Sequence, residues 1–373
     1  MRGSGIGGRG AGRGRASGRG RRVLRGLLAV ALAAAASGPL AGGAAAQSAG
    51  PFFRMGMGAR SVAMPAQTAD RSGYGSPYLN PALAPFQPAQ GVELSAGLLA
   101  FDRTWEAVQV AAPLRPRSGF AGGVVHGGVE AIDGRDGSGQ PTDGGTEGGF
   151  FEADEYAFFA AFGTQLSDRV AAGAGLRLYR NQLVRGVRAP TAIGVSLGAS
   201  ARLSERVSVG LAVDDLFARY EWSTSGAVPA SATDYFPTRV RGGLAVAAGA
   251  RANGAPRVTL GAEAELAVQP AEATRPGGVA VIGTEPAEGD VTVDYRLAGV
   301  VGRLGAEVWL TDGVAARAGL DRLGAGAAGE LRPSAGFGLE QRFDELDLRV
   351  DYAVVVEPFG AALMHLATVR LGL

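Results

Sequence analysis

The sequence predicts an all-β fold: a transmembrane antiparallel β-barrel of about 14 strands with an N-terminal plug segment. Three observations carry this. From Gly91 onward, apolar residues recur at every second position in stretches of about ten residues, the period of a strand with one face in an apolar medium. The connections between these stretches alternate between short and long. The chain also opens with a basic, then apolar, then small-residue stretch of the kind that directs export.

That opening is taken as residues 1–46. Arg21, Arg22 and Arg25 precede the apolar run Leu27 to Ala36, and Ala44-Ala45-Ala46 offers a cleavage site before Gln47. The run is too short to span a bilayer as a helix. The Gly/Arg-rich stretch from Arg2 to Gly20 reads as an overlong signal region or an early start codon rather than an RNA-binding tail. The 373 residues include no Cys and no Lys, and eight of the 36 Arg fall in this segment with no acid beside them. The remainder holds 28 basic and 35 acidic residues, a sign that disfavours nucleic acid as a partner. Absence of Cys excludes disulfides, thiolate metal sites and a lipoprotein anchor.

Residues 91–373 form the barrel unit. Strands are expected near 91–101, 104–112, 118–130, 151–165, 169–181, 191–203, 206–214, 238–249, 257–268, 300–310, 313–320, 333–342, 346–356 and 364–373. An even count suits a single-chain barrel. Three connections after even strands share one formula: Leu166-Ser167-Asp168-Arg169-Val170, Leu203-Ser204-Glu205-Arg206-Val207 and Leu310-Thr311-Asp312-Gly313-Val314. Ser or Thr followed by a small acidic or glycine-containing pair supplies the side-chain to backbone bonds of tight turns. Long connections, 131–150, 182–190, 215–237, 269–299 and 321–332, follow odd strands. Short and long loops therefore lie at opposite ends, as in outer-membrane barrels, whereas a β-sandwich has no reason to segregate them. Phe150, Phe151, Tyr179, Tyr235, Phe236 and Phe343 fall near strand ends and are expected in interfacial girdles. Residues 47–90, rich in Gly and Pro and without period two, are expected to plug the lumen, which fourteen strands leave too wide for side chains alone.

On the inward faces the alternation places Arg177, Arg202, Arg239, Arg241, Arg257, Glu263, Glu265, Glu307, Asp347, Arg349, Asp351 and Arg370. They read as a network of ion pairs bracing the barrel, with a selectivity surface for charged cargo as the alternative. Catalysis is not expected: the two histidines, His126 and His365, have no serine signature beside them. No cofactor is implied. The loop Asp133-Gly134-Arg135-Asp136-Gly137-Ser138-Gly139, with Asp143, Glu147, Glu152, Asp154 and Glu155, has oxygen ligands suited to Ca²⁺ but not the EF-hand order, so no metal site is assigned.

Several segments resemble the PorV/PorQ family, which is related to the FadL-type fatty-acid channels. Met55-Gly56-Met57-Gly58-Ala59-Arg60-Ser61-Val62-Ala63-Met64 resembles its opening Gly-Ala-Arg segment, and Tyr78-Leu79-Asn80-Pro81-Ala82-Leu83-Ala84 its Trp-Asn-Pro-Ala-like motif, with Leu79 in place of the aromatic. Val213-Asp214-Asp215-Leu216-Phe217, Phe236-Pro237-Thr238-Arg239, Gly305-Ala306-Glu307-Val308-Trp309, Arg317-Ala318-Gly319-Leu320 and Asp351-Tyr352-Ala353 resemble later family segments. The last strand, ending at Leu373 where Phe is usual, resembles the signal read by the barrel-assembly machinery. The resemblance implies a cell outer-membrane location among outer-membrane lipids, a plug motif at Asn80, Pro81 and Ala82, and one of two functions. One is a FadL-like channel for hydrophobic or amphipathic molecules. The other is a non-catalytic interaction protein that handles secreted cargo proteins of a type IX-like secretion system.

Overall fold

A computed structural model describes residues 51–133, 138, 140, 150–182, 189–224, 230–274, 291–324, 331–344, 346–357 and 362–373. The signal segment 1–46 and most of the candidate calcium loop lie outside these residues. Where period two begins, so does the sheet. The first strands are β1 (Gly91–Leu99), β2 (Arg103–Leu114), β3 (Ser118–Asp133), β4 (Phe150–Gln165), β5 (Val170–Gln182), β6 (Thr191–Arg202) and β7 (Val207–Leu216). A separate hairpin follows, β8 (Arg219–Thr224) and β9 (Ala230–Tyr235). The wall resumes with β10 (Thr238–Ala248), β11 (Val258–Thr274), β12 (Val291–Trp309) and β13 (Val314–Leu323). It ends with β14 (Arg332–Phe343), β15 (Leu346–Val356) and β16 (Leu363–Gly372).

Fourteen of these strands pair antiparallel in chain order, and β1 pairs with β16 to close the barrel, Gly91 opposite Gly372 through Leu98 opposite His365. Closure removes every edge, the condition for a sheet in lipid. Leu373 N donates to Gln90 O at 2.8 Å, so both ends of the wall meet at one rim, the near rim. The far rim carries the long connections. Two sequence expectations change here. Within the expected loop 269–299, β11 and β12 stay paired out to Thr274 opposite Val291, projecting beyond their neighbours. Within the expected loop 215–237 lies the β8–β9 hairpin.

The three shared turns form at the near rim as their formula implies. Ser167 Oγ accepts from Val170 N at 3.1 Å, Ser204 Oγ from Arg206 N at 3.3 Å and Thr311 Oγ1 from Gly313 N at 3.2 Å. Outward positions are apolar and exposed around the whole barrel, among them Leu94, Val110, Phe158, Leu176, Ile193, Leu260, Phe337 and Val369. Such a continuous apolar belt on the outside of a closed sheet is stable only in a bilayer. Tyr179 and Phe236 are corrected: both are buried inside rather than at an interface, because odd positions of β5 point inward and the β8–β9 hairpin folds Phe236 under it. Phe343 is exposed at the near rim, while the side chains of Phe150 and Phe151 lie outside the description.

Candidate functional site

The lumen is filled by the chain's own residues 51–90. Pro51–Arg54 forms a short 3-10 turn near the far rim, Ala59–Ala63 a single turn of α-helix (α1), and Pro81–Phe86 a second 3-10 turn. Asn80 explains the last of these. Its Oδ1 caps the turn by accepting from Ala82 N at 3.0 Å, and Pro81 follows in the first position, where its missing N–H costs nothing. The Asn80 amide also donates to Thr68 O at 2.7 Å and to Ala199 O on β6 at 3.2 Å. One fully buried side chain thus ties the turn to the rest of the plug and to the wall. Ala82 is fully buried and Pro81 buried beside it.

The plug backbone lies so close to the wall that no side chain fits between them. Glycines stand at the inward positions it crosses, and several are cross-strand neighbours: Gly119, Gly163, Gly173 and Gly198 in one row, Gly261, Gly305 and Gly319 in another. A Cβ at Gly119 would sit 2.1 Å from Ala84 O, at Gly198 2.1 Å from Asn80 Oδ1, and at Gly261 2.2 Å from Ala66 O. These glycines serve close approach rather than turning.

Between the plug and the wall run two buried charge networks. In the first, Arg60 on α1 pairs with Asp70 at 2.8 Å and Glu307 at 3.0 Å. Glu307 also takes Arg317 at 2.6 Å, and Asp351 takes Arg317 at 2.7 Å and Arg349 at 2.8 Å. Burial alone would lower the Arg60 pKa, but Glu307 and Asp70 outweigh it and hold the guanidinium above its ordinary value. In the second, Asp215 receives Arg177 at 3.1 Å, Arg239 at 2.9 Å and the Tyr179 hydroxyl, while Asp214 receives Arg241. Arg303 bridges Glu263, Glu265 and Asp321 at 2.7–3.0 Å. The networks hold the plug directly: Arg177 donates to Tyr78 O, Arg241 to Leu79 O, and Thr68 N and Oγ1 to Glu263.

Of the twelve charges expected on the inward faces, eight, Arg177, Arg239, Arg241, Glu263, Glu265, Glu307, Arg349 and Asp351, therefore sit in these networks. Arg202 and Asp347 do not. Each shares the inward parity but lies within a residue of its strand end, so Arg202 is exposed and Asp347 pairs across a hairpin with exposed Arg342 at 2.6 Å. Arg257 likewise pairs with Asp312 at the rim, and Arg370 donates to Gln87 of the plug at 3.2 Å. Sequence reading missed Arg60, Asp70, Asp214, Asp215, Arg303 and Arg317. Alternation marks Arg303 and Arg317 as inward, since each shares phase with a glycine that the plug backbone crosses, Gly305 and Gly319.

Toward the far rim the lumen becomes aromatic. Tyr179 stacks on Phe236 with centroids 4.5 Å apart, Tyr220 meets Phe236 edge-on at 4.9 Å, and Tyr78 meets Phe159 at 5.0 Å. The first described residues of the chain occupy this chamber. Phe53 lies 5.1 Å from the Tyr179 ring, Trp105 donates to Phe52 O at 3.3 Å and Tyr78 to Phe53 O at 2.7 Å. With this arm in place, clefts among the described residues include one beside Arg349 and Tyr74 of about 20 Å³ and one beside Tyr78 and Pro81 of about 10 Å³, each with room for about one water molecule.

A closed fourteen-strand barrel sealed by its own N-terminal segment is the architecture of a plugged membrane-barrel protein. No family model matches the sequence, and no curated protein does. Solved structures do match. The Pseudomonas putida toluene transporter TodX aligns with 85% of this chain and 97% of its own at 14% identity and a TM-score of 0.53. The Ralstonia pickettii toluene transporter TbuX aligns with 86% and 98% at 11% identity and a TM-score of 0.54. At these identities the likeness is one of fold.

Proposed function

We propose that this chain is an outer-membrane channel for hydrophobic molecules, related in kind to the FadL-type transporters. The carrying observation is the aromatic chamber at the far rim, filled by Phe52 and Phe53 of the plug segment rather than by wall side chains alone. The lumenal charges are paired with one another and with the plug, so they brace it and do not line a polar pore. A solute wider than water cannot pass along the axis while the plug is seated. A hydrophobic molecule can instead take the place of the arm 52–57, which meets the wall through the Phe53–Tyr179 ring contact and hydrogen bonds to its backbone oxygens, such as Ser95 Oγ to Met57 O at 2.9 Å, with Arg54 its one charged side chain. Exchange of one apolar occupant for another keeps the chamber dry, and burial of a toluene-sized surface at about 25 cal/mol per Å² supplies the affinity. The segments 55–64 and 78–84, which resemble the PorV/PorQ family, are the lower arm with α1 and the Asn80-capped turn, so membership in that family belongs to the same proposal.

Displacement of the fluorescent probe N-phenyl-1-naphthylamine from the purified chain by toluene and octanol tests this reading. Saturable displacement is the expected result. Co-purification of a secreted protein without any binding of hydrophobic probes would favour cargo handling instead.

A further inference from the structure

The wall of the chamber is not uniformly apolar. Glu155 on β4 and Asn181 on β5 are cross-strand neighbours, both facing inward, and Asn181 Nδ2 donates to Glu155 Oε1 at 3.0 Å. Among the described residues, that bond leaves Glu155 Oε2 and Asn181 Oδ1 buried without a partner, and the buried Tyr220 hydroxyl on the covering hairpin also has none. Asn181 is 6% exposed and Tyr220 0%. Tyr220 lies within electrostatic reach of Glu155: burial first, then the carboxylates of Glu155 and Asp234, push its phenol up. Asp234 stands directly opposite Tyr220 in the hairpin. A buried polar atom left without a hydrogen bond is costly, so the orphaned atoms of this pair and of the hairpin that covers it mark a place shaped for a polar group.

The three atoms share one chemistry, because all can accept a hydrogen bond. An ammonium carries three donors and no acceptor, which matches them; a carboxylate carries acceptors only and would face Glu155. Around them stand the rings of Tyr179, Phe236 and Tyr220, whose faces attract a cation and whose bodies accept an alkyl or aryl chain. The present occupant has the same character. Phe52 and Phe53 are followed by Arg54, whose pKa burial and neighbouring Arg239 lower to about 10, so the arm still brings a positive charge into the chamber at neutral pH. We propose that the chamber selects hydrophobic amines, with the ammonium seated on Glu155, Asn181 and Tyr220 and the apolar tail among the aromatic rings. This rests on the channel reading above and names its substrate class.

Three probes with one tail and different heads test it: octylamine, octanol and octanoate, titrated at neutral pH into the full chain in non-ionic detergent. Emission of Trp105 and Trp222 reports occupancy; the third tryptophan, Trp309, lies far away under Arg251. The expected order is octylamine tighter than octanol by about tenfold, the worth of one charge-assisted hydrogen bond, with octanoate weakest. Glu155→Gln is expected to bring octylamine to the level of octanol without moving octanol itself. Tyr220→Phe, which deletes one oxygen and keeps the ring, is expected to weaken octylamine alone. Equal binding of octylamine and octanol, or tighter binding of octanoate, overturns the amine assignment and leaves the channel reading standing. Failure of all three probes overturns both.

Discussion

Arg60 of the plug grips Glu307 of the wall through two parallel hydrogen bonds, Nε to Oε2 at 3.0 Å and Nη2 to Oε1 at 3.1 Å, with both side chains buried. The fork geometry explains why arginine is used, since a planar guanidinium matches both carboxylate oxygens. Glu307 is shared, taking Arg317 Nε at 2.6 Å on the same Oε2 and standing 3.8 Å from Arg349. It is the counter-ion of a cluster, whereas Arg60 is one cation among several.

The two partners should therefore behave unequally when removed. Glu307→Ala leaves Arg60, Arg317 and Arg349 facing one another around Asp351 and Asp70, and is expected to cost about 3–5 kcal/mol. Arg60→Ala leaves Glu307 still held by Arg317 and is expected to cost less. Urea unfolding of the refolded barrel, followed by its heat-modifiable gel mobility, measures both. Equal effects would contradict the shared counter-ion.

Close approach at the glycine belt makes a sharp comparison. Gly198→Ala places a Cβ 2.1 Å from Asn80 Oδ1, whereas a Cβ at Gly242, which faces outward, meets nothing within 4 Å. The first is expected to cost about 1–3 kcal/mol and to loosen the plug, the second less than about 0.5 kcal/mol. Conductance in planar bilayers reports the loosening: Gly198→Ala should show openings that Gly242→Ala lacks.

Alkaline pH should release the plug. Burial raises the phenol pKa of Tyr78 above its ordinary value, so the folded state favours the neutral phenol. The contribution is fully present below about pH 10, the ordinary phenol value, and is lost as pH rises toward the raised folded value. Tyr78→Phe gives up the bond to Phe53 O but has nothing to ionise. Unfolding midpoints from about pH 8 to about pH 11 should fall more steeply for the natural chain than for the variant, with a residual slope from Tyr74 and Tyr220, whose pKa values burial also raises. Parallel curves would contradict this.

The wall was legible because each strand must show apolar side chains to lipid at every second residue, a demand written locally into stretches such as Leu346 to Val354. Turns such as Leu203 to Val207 were legible for the same reason: their hydrogen bonds are made within four residues. What escaped depends on register and on distance in sequence. Gly261, Gly305 and Gly319 each fit their strand's alternation, but only pairing across strands turns them into a belt. Arg202 and Arg177 look alike from parity, and only nearness to the strand end separates an exposed rim charge from a buried one. The extension of β11 past Val268 was hidden because Pro270, Ala271 and Glu272 break the alternation while the pairing continues. In the plug, Asn80-Pro81 marks a capped turn locally, yet nothing local tells that Arg60 meets a glutamate 247 positions away.

A reversible lock on the arm tests whether hydrophobic molecules bind where the arm now sits. The chain has no cysteine, and Phe52 Cβ lies 2.7 Å from where a Cβ on Gly127 would stand, about 1 Å inside the usual disulfide spacing and so within a small shift of it. In a Phe52→Cys, Gly127→Cys chain, toluene and octanol binding is predicted to vanish on oxidation and to return on reduction. Unchanged binding in the oxidised, locked protein would contradict the account.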